Sequence, residues 1–217
     1  MSTFSETGVF LCLEGGEGAG KSTQAKLLAA WLQDAGHVVV LTHEPGDTKV
    51  GRRIREIVLD PATGDLSDRT EVLLYAADKA EHVDTVVLPA LERGEVVVTD
   101  RYVDSALAYQ GAGRGHDKPG EPWEAEIERV SRWATRDLRP HLTVVLDLEP
   151  SDGLGRFTER DRIEGESADF HTRVRGAFLA MAAADPHHYL IVDARLPADE
   201  IAGLIRARVE PLLGQAR

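Results

Sequence analysis

Short runs of β-branched and aliphatic residues alternate along the chain with longer stretches in which apolar positions recur every three or four residues. Five runs read as strands, at residues 9–13, 38–42, 96–99, 142–148 and 189–192. They are continuously apolar, the pattern of parallel strands covered on both faces. Helical patterns occupy 21–34, 49–59, 68–92, 103–109, 122–138, 167–183 and 198–213. Parallel neighbours need helical crossovers, so the alternation predicts a five-stranded parallel sheet flanked by helices, a three-layer α/β fold in one domain spanning 1–217. Ligands in such folds gather at the carboxyl ends of the strands.

Two segments carry no regular pattern. GAGRGHDKPGEP at 111–122 is rich in turn formers and charge and reads as a surface loop. TERDRIEG at 158–165 carries charges of both signs between helical stretches and is expected to be a short mobile lid. The first seven residues are expected to be frayed.

Composition narrows the function. Across 217 residues, 37 Asp and Glu outnumber 25 Lys and Arg, giving a net charge of −12. That balance works against general affinity for nucleic acid, so any phosphate chemistry must be local. The one cysteine, Cys12, excludes an intrachain disulfide, and no Cys/His spacing suggests zinc. No apolar run approaches the roughly eighteen residues of a membrane span, and the first residues lack the regions of a signal peptide. A cytoplasmic location is expected.

The strongest local signal is Gly15-Gly16-Glu17-Gly18-Ala19-Gly20-Lys21-Ser22, which fits G-x-x-x-x-G-K-[ST] between a strand and a helix. Its glycines let backbone N–H groups converge on a phosphate at a helix N-terminus; Lys21 supplies a positive charge and the Ser22 hydroxyl a Mg²⁺ ligand. These residues, with Thr23 beside them, are the expected site of ATP. GTPases, transport ATPases, recombinases and small kinases all carry such a loop. Neither N-K-x-D nor LSGGQ occurs, and the chain is short for a motor, which favours a P-loop kinase fold. Asp100-Arg101-Tyr102 closes the third strand, where an Arg can hold a second phosphate and Asp100 can organise Mg²⁺ and water. A plain ion pair ending the strand is the alternative.

Read together, EGGEGAGKSTQAKLL, THEPGDT, LLYAADKAEHV, VVVTDRYVDSALAYQGAGRG, LDL and DRIE resemble bacterial thymidylate kinase, in order from about residue 9 to 213. The resemblance implies phosphoryl transfer from ATP to dTMP, with Mg²⁺ and, typically, a homodimer; the stretch 68–92 is a candidate dimer face, although core packing explains its apolar positions equally well. It also implies that Arg101 and Arg55 grip the dTMP phosphate, that Tyr75 stacks on thymine and that Lys79, one helical turn later, donates to it. Lys79 departs from the family's arginine, whose planar fork an ammonium cannot reproduce. Tyr109 is expected beside the sugar, Gln110 near the base, Pro45 on the sugar wall and Glu17 at the 3′-hydroxyl and the metal's water shell. His43 and Asp47 also depart from the family pattern TREPGGT.

Because the phosphate loop holds no arginine, the resemblance implies a catalytic arginine in the lid, with Arg162 first and Arg160 second. Arg156 and Arg195 are expected at the adenine, and Asp147 at the lid's base or a metal-bound water. Two alternatives stand beside dTMP: another monophosphate such as dUMP or a modified deoxynucleotide, and a P-loop nucleotide sensor without catalysis.

Overall fold

The computed structural model describes residues 4–114, 122–156, 158 and 160–214. Strands β1 (Val9–Gly15), β2 (Val39–His43), β3 (Val96–Asp100), β4 (Leu142–Asp147) and β5 (Tyr189–Asp193) form one sheet in the order β2-β3-β1-β4-β5, and every neighbouring pair is parallel. The expected five-stranded architecture is therefore present. Leu13 lies opposite Asp100 and His43 opposite the same residue, so β2 and β3 end together and β1 runs two residues further, to Gly15. That shared edge carries the chemistry.

Helices α1 (Lys21–Asp34) and α9 (Ala198–Leu213) cover one face; α3 (Asp68–His82), α4 (Leu88–Glu92), α5 (Val103–Ala106) and α8 (Ala168–Ala184) lie on the other side. Alternate side chains of a strand point to opposite faces. Leu11 and Leu13 accordingly pack with Leu28, Leu32 and Ile205, while Phe10 and Cys12 pack with Val83, Val87 and Leu91. Cys12 is a buried free thiol. All seven residues of β1 are buried, and a fully buried Leu or Phe contributes roughly 1.5–3 kcal/mol. Helices α2 (Lys49–Leu59), α6 (Trp123–Ala134) and α7 (Pro150–Leu154) complete the chain.

Several boundaries differ from the sequence reading. The helical pattern at 68–92 is present as one continuous helical run, in which α3 passes into α4 through wide turns at Val83–Val87, just before Pro89, which has no N–H to close a regular turn. The helix expected at 103–109 runs on through wide turns to Gly113, so the predicted loop begins only after it. Trp123 helps to hold that end, its indole N–H donating to the Gln110 carbonyl at 2.8 Å. Helix α6 stops at Ala134 because Arg136 and Asp137 take left-handed conformations (φ 54° and 58°). Residues 4–7 are fastened rather than frayed: Thr7 donates to the Leu91 carbonyl at 2.7 Å, and Phe4 stacks on His188 with centroids 4.8 Å apart. Most of the charged loop at 111–122, from residue 115 to 121, lies outside the described residues, as do 159 of the expected lid and 157 just before it.

Candidate active site

The phosphate loop leaves β1 at Gly15 and enters α1 at Lys21. Two of its glycines have no substitute. A Cβ on Gly15 would stand 2.4 Å from the Leu146 carbonyl oxygen, and one on Gly18 would stand 2.5 Å from that of Gly153. Gly20 precedes α1 without a side-chain cap, so the helix's first N–H groups are left for an anion. Lys21 is 7 % exposed and folds back to donate to the carbonyls of Gly15 (3.1 Å) and Gly16 (2.7 Å). Burial, then repulsion from Arg101, lowers the ammonium's pKa from its ordinary value. Ser22 hydrogen-bonds to the Asp100 carboxylate at the end of β3.

Arg101 follows directly, held in a left-handed conformation (φ 72°). Its guanidinium pairs with Glu17 at 2.6 Å, reaches Ser105 Oγ at 3.2 Å and lies 4.9 Å from the centre of the Tyr109 ring. The Tyr109 hydroxyl also donates to Glu17, at 2.8 Å. Burial alone would raise the Glu17 carboxyl, but Arg101, Lys21 and Tyr109 outweigh it and bring the pKa to about 2. Under this turn lies Glu14, wholly buried, which accepts the N–H groups of Tyr102 (2.8 Å) and Ser105 (3.1 Å) and the Ser105 hydroxyl (2.6 Å). Burial and Asp104 push its carboxyl up to about 7. Glu14 shapes the strained arginine turn and has no motif to announce it beyond a carboxylate in an apolar strand.

Two cavities meet here. The larger, about 750 Å³, is lined by Lys21, Ser22, Thr23, Asp100 and Arg156. The smaller, about 140 Å³, is lined by Pro45, Tyr75, Lys79, Tyr109 and Gln110. Glu17, Glu44, Arg55, Arg101 and Glu164 line both, so one cleft joins the phosphate loop to a second pocket. Arg55 reaches it from α2 and donates to the Pro45 carbonyl at 2.8 Å. Arg156 donates to the Gly18 carbonyl at 2.7 Å.

Other expected residues stand differently. Lys79 lines the smaller pocket, yet its ammonium is bound to Glu44 at 2.5 Å; both side chains are almost wholly buried, and His82 contacts the same carboxylate at 2.7 Å. Gln110 turns its amide N–H toward Glu71 at 3.0 Å. Arg162 is engaged by Glu71 and by the Val58 carbonyl, and its backbone N–H donates to Leu59. Arg162 and Arg160 line a separate depression with Pro61 and Asp65 rather than the phosphate cleft. The reason is electrostatic: Glu71, buried and held below the ordinary carboxylate range, draws in both Arg162 and Arg114 despite the cost of burial. Arg195 is 70 % exposed, pairs with Asp193 at 2.7 Å and lines neither cavity. Asp147 is held by Arg175 at 2.7 Å. Glu44, Glu71 and His82 were not singled out from the sequence, because their partners are distant in the chain.

Among the described residues, no group of three or more His, Cys, Asp or Glu is placed to hold a metal. The neighbouring oxygens of Ser22 and Asp100, at the mouth of the larger cavity, are instead the hard donor pair that suits an ion otherwise bound by phosphate and water. Among the described residues, no helix is long and apolar enough to cross a membrane.

Sheet order and glycine loop define a P-loop phosphotransferase fold in which two cavities open into one cleft. The family model for thymidylate kinase matches residues 13–205. A thymidylate kinase of Cutibacterium acnes is 52% identical over 208 residues, covering 96% of this chain and 99% of that one. One of Clavibacter michiganensis subsp. michiganensis is 54% identical, covering 95% and 97%. The crystal structure of thymidylate kinase from Ehrlichia chaffeensis superposes with a TM-score of 0.72 at 27% identity, covering 94% of this chain and 99% of that one. The chain belongs to the thymidylate kinase family.

Proposed function

We infer that the chain transfers the γ-phosphoryl group of ATP to dTMP, giving ADP and dTDP for dTTP synthesis. The observation that carries this reading is the single cleft in which Glu17, Arg55 and Arg101 border both the phosphate-loop cavity and the second pocket. Two anions must approach in line, so the protein's work is positioning and charge neutralisation. The acceptor phosphate oxygen is already anionic, and no general base or covalent intermediate is needed.

In this mechanism the loop N–H groups and Lys21 hold the donor's phosphates, Thr23 and Arg156 help to seat ATP, and Arg55 and Arg101 hold the acceptor's phosphate. Tyr75 stacks on the base from one side of the smaller pocket; Pro45 and Tyr109 confine the sugar. Ser22 and Asp100 would hold Mg²⁺, directly or through water, and the ion would neutralise charge on the transferring group. Arg162 is assigned to the transferring phosphoryl group as well, which requires it to exchange Glu71 for the phosphates. Arg160 is the alternative. An exposed Leu73 on α3 (60 %) supports assembly as a homodimer, and the family's reaction supports a cytoplasmic location.

One observation keeps a second base in view: Lys79 offers an ammonium already shared with Glu44, so the base meets fewer donors than a guanidinium fork would supply, and the ring carbonyls those donors meet are common to dTMP and dUMP. A sensor without catalysis has no use for a second anion pocket. The test is release of ADP from Mg·ATP with each of dTMP, dUMP, dCMP, dAMP and dGMP. Turnover fastest with dTMP supports the reading; fastest with dUMP moves the substrate; none with any of them refutes the activity.

A further inference from the structure

Behind the smaller pocket runs a chain of five polar side chains. Lys79 Nζ lies 2.5 Å from Glu44 Oε2, and Glu44 Oε1 lies 2.7 Å from His82 Nδ1. His82 Nε2 is 2.6 Å from Thr42 Oγ1, which is 2.5 Å from Asp47 Oδ2. Lys79, Glu44, His82 and Thr42 are all buried, whereas the Asp47 side chain is 34% exposed and reaches solvent.

Donor and acceptor roles along this chain are fixed by one hydroxyl proton. An ionised Asp47 only accepts, so the Thr42 O–H is given to Asp47. The Thr42 oxygen must then accept, and His82 Nε2 must carry a proton to supply it. Glu44 is held below its ordinary carboxyl range because Lys79 and His82 outweigh the effect of burial, so it too only accepts. His82 Nδ1 must therefore carry a proton as well. Two further titratable groups stand close by: Asp78, one turn before His82 on α3, whose Oδ1 accepts the Gly46 N–H at 3.1 Å and whose Oδ2 has no hydrogen-bond partner among the described residues, and His43, whose Nδ1 lies 3.7 Å from Asp47 Oδ1. The resulting order is Asp47⁻, His82⁺, Glu44⁻, Lys79⁺, a balanced row. Without a carboxylate at 47, the Thr42 proton can turn to His82 Nε2 and the ring loses its charge; Glu44 keeps the Nδ1–H hydrogen bond, and Lys79 is then the one charged partner bonded to it among the described residues.

Only one of the three ammonium N–H groups of Lys79 is taken by Glu44; among the described residues the other two have no partner, and Lys79 lines the pocket with Tyr75 and Gln110. We propose that Asp47 is a positioning residue for the nucleobase: through Thr42 and His82 it fixes Glu44, and Glu44 fixes Lys79 so that its free N–H groups meet a ring carbonyl oxygen. A keto-pyrimidine satisfies those donors, and an amino-pyrimidine opposes them. The proposal rests on the second pocket's being the monophosphate site.

The test has two readouts. In the ligand-free protein at pH 7.5, nitrogen-15 NMR of the His82 ring should report both nitrogens protonated in the wild type and a neutral ring in Asp47→Gly. In steady-state assays Asp47→Gly should raise KM for dTMP about tenfold, the size of one weakened charge-assisted hydrogen bond, and narrow the preference for dTMP over dCMP while kcat stays within about twofold. Asp47→Glu should restore both. Thr42→Val, which breaks the chain from inside, should reproduce the Asp47→Gly result, and a shared unfolding midpoint separates it from a folding defect. A neutral His82 ring in the wild type, or a charged one that survives Asp47→Gly, overturns the relay whatever the activity. Unchanged KM and base preference in an active Asp47→Gly enzyme overturn its role in base recognition while leaving the kinase reading intact. A wild type that turns over no monophosphate refutes that reading, and with it the nucleobase role, even where the ring behaves as expected.

Discussion

Replacing Glu17 with Gln keeps the shape of the side chain at the junction of the two cavities and removes its charge. The folded carboxyl titrates at about 2 against an ordinary 4.5, because Arg101, Lys21 and Tyr109 outweigh its burial. At 1.36 kcal/mol per pH unit that gap corresponds to at most about 3 kcal/mol of folding stability. The side chain is 16% exposed, so screening by solvent is limited. Since the folded form is the stronger acid, the contribution is complete above the unfolded carboxyl's pKa and disappears as the pH falls toward 2. Urea unfolding followed by circular dichroism should therefore show the wild type more stable than Glu17→Gln by about 2–3 kcal/mol at pH 7. Between pH 5 and pH 3.5 the difference should shrink by about 1 kcal/mol. A gap that is absent at pH 7, or that stays constant down to pH 3.5, would refute the assignment of Glu17 as the ionised partner of Arg101.

Three further outcomes are expected. Gly153→Ala puts a methyl group 2.1 Å from the Glu17 carbonyl oxygen, so the loop or α7 must move; stability should fall by roughly 1–3 kcal/mol and KM for ATP should rise, and a normal KM would show the contact to be pliable. Arg162→Ala should depress kcat about tenfold or more with little change in KM for dTMP, whereas unchanged turnover would remove that arginine from the chemistry. Turnover should stop on chelation of divalent ions, and Ser22→Ala should need about tenfold more Mg²⁺ for half-maximal rate; an unchanged Mg²⁺ requirement would take the hydroxyl out of the ion's surroundings.

Features built from neighbours in sequence were legible before any coordinates. The phosphate loop and the strand-end Arg101 depend on local spacing, Tyr75 and Lys79 follow from the family resemblance, and the structure brings all of them to one cleft. What could not be read depends on partners far along the chain. Lys79 meets Glu44 thirty-five positions away, and Arg162 meets Glu71 ninety-one away, so neither commitment leaves a trace in local periodicity. Asp47 had no evident purpose as a charge near an anion pocket until Thr42 and His82 stood beside it. The wide turns between α3 and α4 were hidden for the opposite reason: apolar spacing continues through Pro89 while the backbone bonding widens just before it.

The fixed register of β1 and β3 acts as a ruler between donor and acceptor. Arg101 leaves the sheet just past the rung where Asp100 faces Leu13, its N–H bonded to the Leu13 carbonyl at 2.9 Å, and the glycine loop leaves two residues further along β1. Adding or deleting a single residue in either strand would slide one phosphate seat about 3.3 Å along the other, as large as the whole separation across which the reacting atoms must meet. Length variation in this lineage should consequently be confined to stretches beyond that edge, such as the turn at 60–67, while the two strands keep their count.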